Sequence, residues 1–146
     1  RRAKLGQPSV IAHLKTLIKE EVVTKDKDGI YPSYRANRES HEFKLLKKQN
    51  LQYRLYHSDL VTHLDQQLKP TCIVLFGSAS RGEDMEESDI DLFVQAEEIK
   101  LHLAKYEKKL SRKINILFEP DIRQLNAELL IILINGVVLY GYLKVL

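Results

Sequence analysis

The sequence contains a single cysteine, a single methionine and no tryptophan among its 146 residues. One cysteine excludes a disulfide framework within the chain, which suits a reducing cytoplasm. Cys72 lies in the apolar run 72–76, where we expect a buried small hydrophobe rather than a nucleophile. We expect no secretory signal, because residues 1–5 lack an apolar core. The most apolar stretch, residues 127–146, is interrupted by Asn-Gly at 135–136, which favours a helix, a turn and a strand over a membrane span.

A large excess of one charge is also missing from the chain as a whole, which has a net charge of +3, but its two halves differ in sign. Apolar residues make up 44% and charged residues 29%, which is typical of a globular protein. Residues 1–70 hold 14 Lys/Arg and 8 Asp/Glu, a net +6, whereas residues 71–146 hold 9 and 12, a net −3. A basic half that meets phosphates and an acidic half that binds metal would produce this difference, as would plain solvated surface.

The basic half predicts helices around one hairpin. Ser9 follows a Gly-Gln-Pro turn and is expected to cap a helix over 9–20, and two short apolar runs around an Asp-Gly turn predict a hairpin over 22–35. Further helices are predicted over 41–48 and 51–68. The apolar stripe predicted for the first helix consists of Val10, Leu14, Leu17 and Ile18.

The acidic half alternates between strands and helices. Strands are predicted over 71–76, 89–94, 114–118 and 137–142, and helices over 97–110 and 121–133. This alternation predicts an α/β (α+β) domain, a small mixed sheet with flanking helices.

Two aspartates lie two residues apart in the second of these strands. Asp89 and Asp91 would therefore point to one face, with Cα atoms roughly 6.6 Å apart. Two adjacent carboxylates repel each other unless a cation lies between them, and oxygen ligands suit Mg²⁺ or Mn²⁺. An isolated Asp-x-Asp would more simply be a pair of solvated acids on an exposed strand face.

A Gly-Ser turn before these aspartates strengthens the functional interpretation. Gly77 lets a phosphate approach the backbone, Ser78 adds a hydroxyl, and Arg81 adds a positive charge with a fork that suits phosphate. Each feature alone also fits an ordinary turn between strands. Together, a phosphate cradle and metal-binding acids are what the handling of a nucleoside triphosphate requires.

These residues resemble a known family. Gly77-Ser78, ten intervening residues and Asp89-Ile90-Asp91 match the signature of the minimal nucleotidyltransferases in the DNA polymerase β superfamily. The resemblance implies that Asp89 and Asp91 are catalytic and bind Mg²⁺ or Mn²⁺. It also implies that Gly77, Ser78, Arg81 and Ser88 bind the nucleoside triphosphate. The reaction implied is transfer of a nucleoside monophosphate, most simply from ATP, to a hydroxyl, with pyrophosphate leaving.

One position departs from the family pattern. The family usually has a third carboxylate in a later strand, where this chain has Asn115. An amide carries no charge and cannot act as a base, although its oxygen can still be a ligand. Glu119 has the same strand parity but lies roughly 13 Å further along an extended strand, so it would need a bulge to substitute. Transfer would then be slow, would use a ligand from the substrate, or would be absent.

The basic half resembles the end of a winged helix-turn-helix domain, with the first helix as recognition helix and the hairpin as wing. By that resemblance Gln7, Ser9, His13 and Thr16 face a major groove of double-stranded DNA, and the wing meets phosphates. The wing residues implied are Lys25, Lys27 and Arg35. The domains predicted are an N-terminally incomplete winged helix over 1–50, a connecting helix over 51–69 and a nucleotidyltransferase domain over 70–146.

Three functions remain open from the sequence. The first is an enzyme that transfers a nucleotide to a hydroxyl of a protein, an RNA or a small molecule. The second is a DNA-binding regulator whose second domain senses a nucleotide without turnover, for which a homodimer is expected. The third is an antitoxin-like partner of a companion toxin, by analogy with minimal nucleotidyltransferases that modify one.

Overall fold

The computed structural model of the protein describes residues 5–26 and 29–145. The chain divides into two compact units, residues 1–47 and 48–146, with the division inside one helix. The first unit contains α1 (Gln7–Lys19), β1 (Val23–Asp26) and β2 (Ser33–Ala36), and α2 (His41–His57) crosses the division.

Helix α1 has its N-cap three residues earlier than the cap prediction required. Gly6 is its N-cap and Pro8 lies in its first turn, where a fixed φ and a missing N–H cost nothing, so Ser9 lies inside the helix. The prediction that Ser9 caps the helix was therefore wrong. The predicted apolar stripe is half-buried at Leu14, Leu17 and Ile18, while Val10 is exposed; within the described part of the chain, α1 has no buried residue.

The predicted hairpin is confirmed, but its second strand starts later than expected. Strands β1 and β2 pair antiparallel, from Val23 opposite Ala36 to Asp26 opposite Ser33. Ile30 and Tyr31, which the sequence placed beside the turn, are 95% and 84% exposed and precede the second strand. Their apolar character therefore did not mark a paired strand.

The second unit is built around four strands. The strands are β3 (Cys72–Phe76), β4 (Ile90–Val94), β5 (Ile114–Phe118) and β6 (Val137–Gly141). The helices after α2 are α3 (Leu60–Leu68), α4 (Gly77–Arg81), α5 (Ala104–Leu110) and α6 (Ala127–Ile134), with a 3-10 helix at Ile122–Gln124. The strand order is β5-β4-β3-β6, in which β3 is antiparallel to both neighbours and β4 is parallel to β5. The predicted small mixed sheet with flanking helices is confirmed.

Several predicted helix bounds differ from those observed. The helix predicted over 41–48 does not end there but continues as α2 to His57, so the predicted break before 51 was wrong. The helix predicted over 51–68 breaks at Asp59, which adopts the left-handed conformation with φ 68°. The helix predicted over 97–110 begins only at Ala104. The helix predicted over 121–133 is a 3-10 turn followed by α6, whose N-cap Asn126 accepts a hydrogen bond from the Leu129 amide.

The two faces of the sheet are covered unequally. On the first, here called the core face, Ile73, Leu75, Ile90, Leu92 and Val94 are buried against apolar residues of α2, α3 and α5. The other, here called the site face, has a smaller buried cluster formed by Cys72, Val74, Phe93 and the α6 residue Leu133. Alternation along each strand produces this division, because successive side chains point to opposite faces.

Two expectations about apolar residues can be checked directly. Cys72 is fully buried, and burial raises the pKa of its thiol to about 11, so it packs as a small hydrophobe, as predicted. Over residues 5–26 and 29–145, no helix combines the length and the apolar character that a bilayer crossing requires.

Candidate active site

The polar end of the site face lies where β3 ends and β4 and β5 begin. Asp91 is paired with Phe76, the last residue of β3, and with Asn115, the second residue of β5. Asp91 shares its face with Phe93, two residues along the same strand. The register therefore brings Asp91 and Asn115 side by side at one end of the apolar cluster.

The Asn115 amide connects the two carboxylates. Its Nδ2 donates to Asp89 Oδ2 at 3.1 Å and to Asp91 Oδ1 at 3.2 Å. Asp89 and Asn115 are exposed and Asp91 is half-buried, so the group is open to solvent. A single neutral donor therefore occupies the space between two anionic side chains, where a cation would offset their repulsion.

The Gly77 turn lies against the Asp91 carboxylate. Gly77 follows β3 directly and has φ 72°, a conformation that favours glycine. A Cβ added to Gly77 would lie 2.8 Å from Asp91 Oδ2. The turn therefore approaches the Asp91 carboxylate closely, and a side chain at position 77 would displace that carboxylate.

Two of the other residues predicted to bind triphosphate, Arg81 and Ser88, already have protein partners. Arg81 Nε donates to Glu83 Oε2 at 2.7 Å, and its Nη1 donates to the Gly77 carbonyl at 3.1 Å. The Ser88 hydroxyl accepts a hydrogen bond from the Met85 amide at 2.8 Å. Ser78 is half-buried at the start of α4. Arg81 and Ser78 thus lie at the turn, whereas the Ser88 hydroxyl stabilises the loop before β4.

The residues present fit one divalent ion better than two. Over the described ranges there is no group of three or more His, Cys, Asp or Glu side chains that could hold a metal. Asp89 and Asp91 supply two carboxylates that share one hydrogen-bond donor, and Mg²⁺ is commonly held by one or two carboxylates together with waters and substrate phosphates. Such an ion would offset phosphate charge and polarise the phosphorus that is attacked.

The sequence reasoning missed a buried ion pair beside this site. Arg112 Nη1 lies 2.6 Å from Asp84 Oδ2, and the two side chains are 9% and 4% exposed. No local motif marks either residue, because they are 28 positions apart and meet only when α5 leads into β5. The one available signal was that Arg112 lies two residues before the strand containing Asn115.

The described residues that were predicted to bind DNA are exposed in the first unit, but they do not all share one face. Ser9, His13 and Thr16 fall on one side of α1, but the helical repeat places Gln7 on the opposite side. Gln7 instead lines a 370 Å³ groove with Ile11 and Lys15. Lys25 and Arg35 are exposed on the hairpin, with Arg35 paired to Asp26, and Lys27 lies outside the described residues.

On the mixed sheet, two aspartates share one amide donor, and one of them lies against a glycine turn. Residues 58–142 match the family described as Polymerase beta, Nucleotidyltransferase, which is more than half of the chain. The chain belongs to this polymerase beta nucleotidyltransferase family. Comparison with curated proteins gave no match, and comparison with solved structures also gave none. The predicted nucleotidyltransferase membership is confirmed, while the winged-helix resemblance stays a prediction.

Proposed function

We propose that the protein transfers a nucleoside monophosphate, most simply AMP from ATP, to a hydroxyl acceptor. Family membership supports a nucleotidyltransferase-like function, and the family generally uses a nucleoside triphosphate and a divalent metal. The observation that carries the proposal is the contact of Asp89, Asp91 and Asn115 with one another beside Gly77. This arrangement would place a metal and a polyphosphate next to each other.

Each residue has a distinct task in the proposed reaction. Asp89 and Asp91 hold the metal, and Gly77 and Ser78 border the triphosphate. Arg81 exchanges Glu83 for a phosphate oxygen, which a half-exposed ion pair permits at low cost. The acceptor oxygen bonds to the α-phosphorus as the bond to the bridging oxygen of the β-phosphate breaks, and pyrophosphate leaves. Because Asn115 cannot act as a base, the acceptor proton passes to a carboxylate or to water.

The first experiment measures metal and nucleotide binding separately from transfer. Mn²⁺ binding is followed by the loss of the free-ion electron paramagnetic resonance signal, and ATP binding by calorimetry with and without Mg²⁺. Asp89→Asn and Asp91→Asn should each weaken Mn²⁺ binding by at least about tenfold, because each removes a charged oxygen ligand. The exposed carboxylate variant Glu98→Gln is the matched control and should bind like the parent protein.

The second experiment detects transfer. The protein is incubated with α-labelled nucleoside triphosphates, Mg²⁺ or Mn²⁺, and cell extract as the source of acceptors. Label on an acceptor that disappears with Asp89→Asn supports the enzyme. Absence of metal-dependent binding to any nucleotide in the parent protein would refute the proposal.

Two observations favour a DNA-binding regulator as the second candidate. Ser9, His13 and Thr16 are exposed along one side of a helix that precedes an antiparallel hairpin, which suits a groove contact. Asn115 occupies the third-carboxylate position, which suits nucleotide sensing without turnover. In this candidate the protein is a homodimer on a two-fold symmetric site.

DNA binding is tested with a selected pool of double-stranded sequences. Sequence-specific binding should weaken steeply with salt, because phosphate contacts release counterions. Ser9→Ala with His13→Ala should remove the sequence preference, whereas Gln66→Ala with Gln67→Ala, on an exposed part of α3, should not. Unchanged preference in the first double variant would reject α1 as a recognition helix.

A further inference from the structure

A buried arginine, Arg112, contacts the backbone next to the paired acids. The Arg112–Asp84 ion pair is more than nine-tenths buried on both sides. Burying two charges costs free energy. A buried ion pair therefore often contributes no more to stability than well-packed apolar residues of similar volume. Stability alone therefore does not explain the pair, and the other hydrogen bonds of the guanidinium group indicate a second role.

The other guanidinium nitrogens hold the backbone at the start of the acidic motif. Arg112 Nε donates to the Ser88 carbonyl at 2.5 Å, and Nη2 donates to the Asp89 carbonyl at 2.9 Å. Asp89 precedes β4, which begins at Ile90, so the regular strand ladder does not fix its position. The arginine side chain supplies hydrogen bonds at the point where the ladder has not yet begun.

The same arginine is close in sequence to the third member of the site. Arg112 lies two residues before β5, and the Lys113 carbonyl accepts a hydrogen bond from the Ile90 amide at 2.8 Å. Asn115 follows in β5 and contacts both carboxylates. One planar fork therefore links the loop that contains Asp84, the backbone of Asp89 and the start of the Asn115 strand.

We infer that Arg112 is a positioning residue that sets the Asp89 carboxylate relative to Asp91 and Asn115. Lysine would keep the charge but could not direct donors along three fixed lines at once. The inference concerns the geometry of the free protein, and its consequence for metal binding rests on the proposed function.

The first test observes the metal-free protein. In nitrogen-15 NMR spectra, Arg112→Lys should shift the Asn115 side-chain amide and the Asp89 and Asp91 backbone amides, while signals of the core face keep their dispersion. Arg123→Lys is the matched control, because that arginine makes an exposed ion pair with Asp121. A folded Arg112→Lys variant with unmoved Asn115 and Asp89 signals would overturn the inference.

A double variant separates positioning from stability. Arg112→Met together with Asp84→Leu replaces the buried pair by apolar side chains, a change that often preserves stability, yet removes both bonds to the backbone. If the arginine acts only on stability, this variant should retain the site signals of the parent protein. Under the inference it stays folded but shifts the Asn115 and Asp89 signals, so it remains informative if Arg112→Lys fails to fold.

The second readout is Mn²⁺ affinity. Arg112→Lys and the double variant should each weaken Mn²⁺ binding by about tenfold or more, in line with the loss of supporting groups at metal sites, and Arg123→Lys should not. If the parent protein binds no Mn²⁺ and no nucleotide, the proposed function fails, but the NMR comparison still decides the role of Arg112. Unchanged Mn²⁺ affinity in a folded double variant contradicts the inference.

Discussion

The two faces of the four-stranded sheet differ in composition, because apolar and polar residues alternate along its strands. Along β4, Ile90, Leu92 and Val94 are fully buried on the core face, while Asp91 and Phe93 point to the site face. The site face has a small apolar cluster at its centre and exposed polar groups at its end. Neighbouring residues of one strand therefore belong to the core and to the candidate site in turn, and substitutions should separate stability from the proposed binding.

The largest expected effect is on the core face. Leu92→Ala removes a fully buried side chain and should lower the free energy of unfolding by about 2–5 kcal/mol. Asp91→Asn, on the adjacent residue, should change it by less than about 1 kcal/mol while weakening metal binding. Urea unfolding of both variants measures the contrast. Equal stability losses would mean that the two faces are not separable.

A glycine on the site face tests whether shape as well as charge matters there. Gly77→Ala introduces a side chain at φ 72° and 2.8 Å from Asp91 Oδ2, so it should cost about 1–3 kcal/mol and displace that carboxylate. Gly82→Ala is the matched control, because Gly82 has φ 73° and imposes similar backbone strain. Mn²⁺ affinity should fall more in Gly77→Ala than in Gly82→Ala. Equal losses would indicate that strain alone matters.

Substitution of Asn115, at the third-carboxylate position, should change stability by a smaller amount, and the sign of the change should depend on whether metal is present. Asn115→Asp replaces the shared donor by a third negative charge, which should destabilise the metal-free protein by about 1 kcal/mol. Added Mn²⁺ should then raise the melting temperature more than in the parent protein. Asn115→Ala, which removes the donor without adding charge, should lose stability in the metal-free protein but should not show the larger rise in melting temperature with Mn²⁺. A larger rise in Asn115→Ala would mean that room for the ion, rather than the added charge, causes the effect.

The smallest effect belongs to an exposed ion pair outside both faces. Hydrogen bonds from Arg123 lower the pKa of Asp121 to about 2 from its usual 3.8. This lowered pKa stabilises the fold above pH 3.8, and the contribution is lost as the pH falls toward 2. An NMR titration of the Asp121 carboxyl should have its midpoint near 2, and Arg123→Gln should return it toward 3.8. An unchanged midpoint would show that the pair does not form.

Local structure was predicted well for the strands and less well for the helices. Strand β5 matches its prediction at both ends, because a short run rich in β-branched and aromatic residues favours a strand. The helix over 97–110 was overextended, since Leu101 and Leu103 pack against the core without being helical. Apolar spacing alone does not distinguish these cases. The break at Asp59 was also missed. Asp59 adopts the left-handed conformation, which an aspartate adopts only occasionally and which the apolar pattern does not mark.

The candidate site was predicted in its chemistry but not in its connections. The Gly-Ser turn and the two aspartates are marked by spacing, and their roles in binding stay predictions. Glu83 as the partner of Arg81, and Asp84 as the partner of Arg112, were not predicted. Several acids lie near Arg81 in the sequence, so its partner could not be identified. Arg112 and Asp84 are far apart in the sequence, and no local pattern relates them.

The sequence by itself determined which side chains alternate, where glycine permits a tight turn, and which acids are available for a cation. Those properties depend on neighbours along the chain, so a single strand or turn suffices to express them. Only the tertiary structure decided that Asn115 pairs with Asp91 and that a buried guanidinium reaches the Asp89 carbonyl. Such contacts form when parallel strands take one register and a helix returns the chain to the sheet, and that register depends on packing of the whole core.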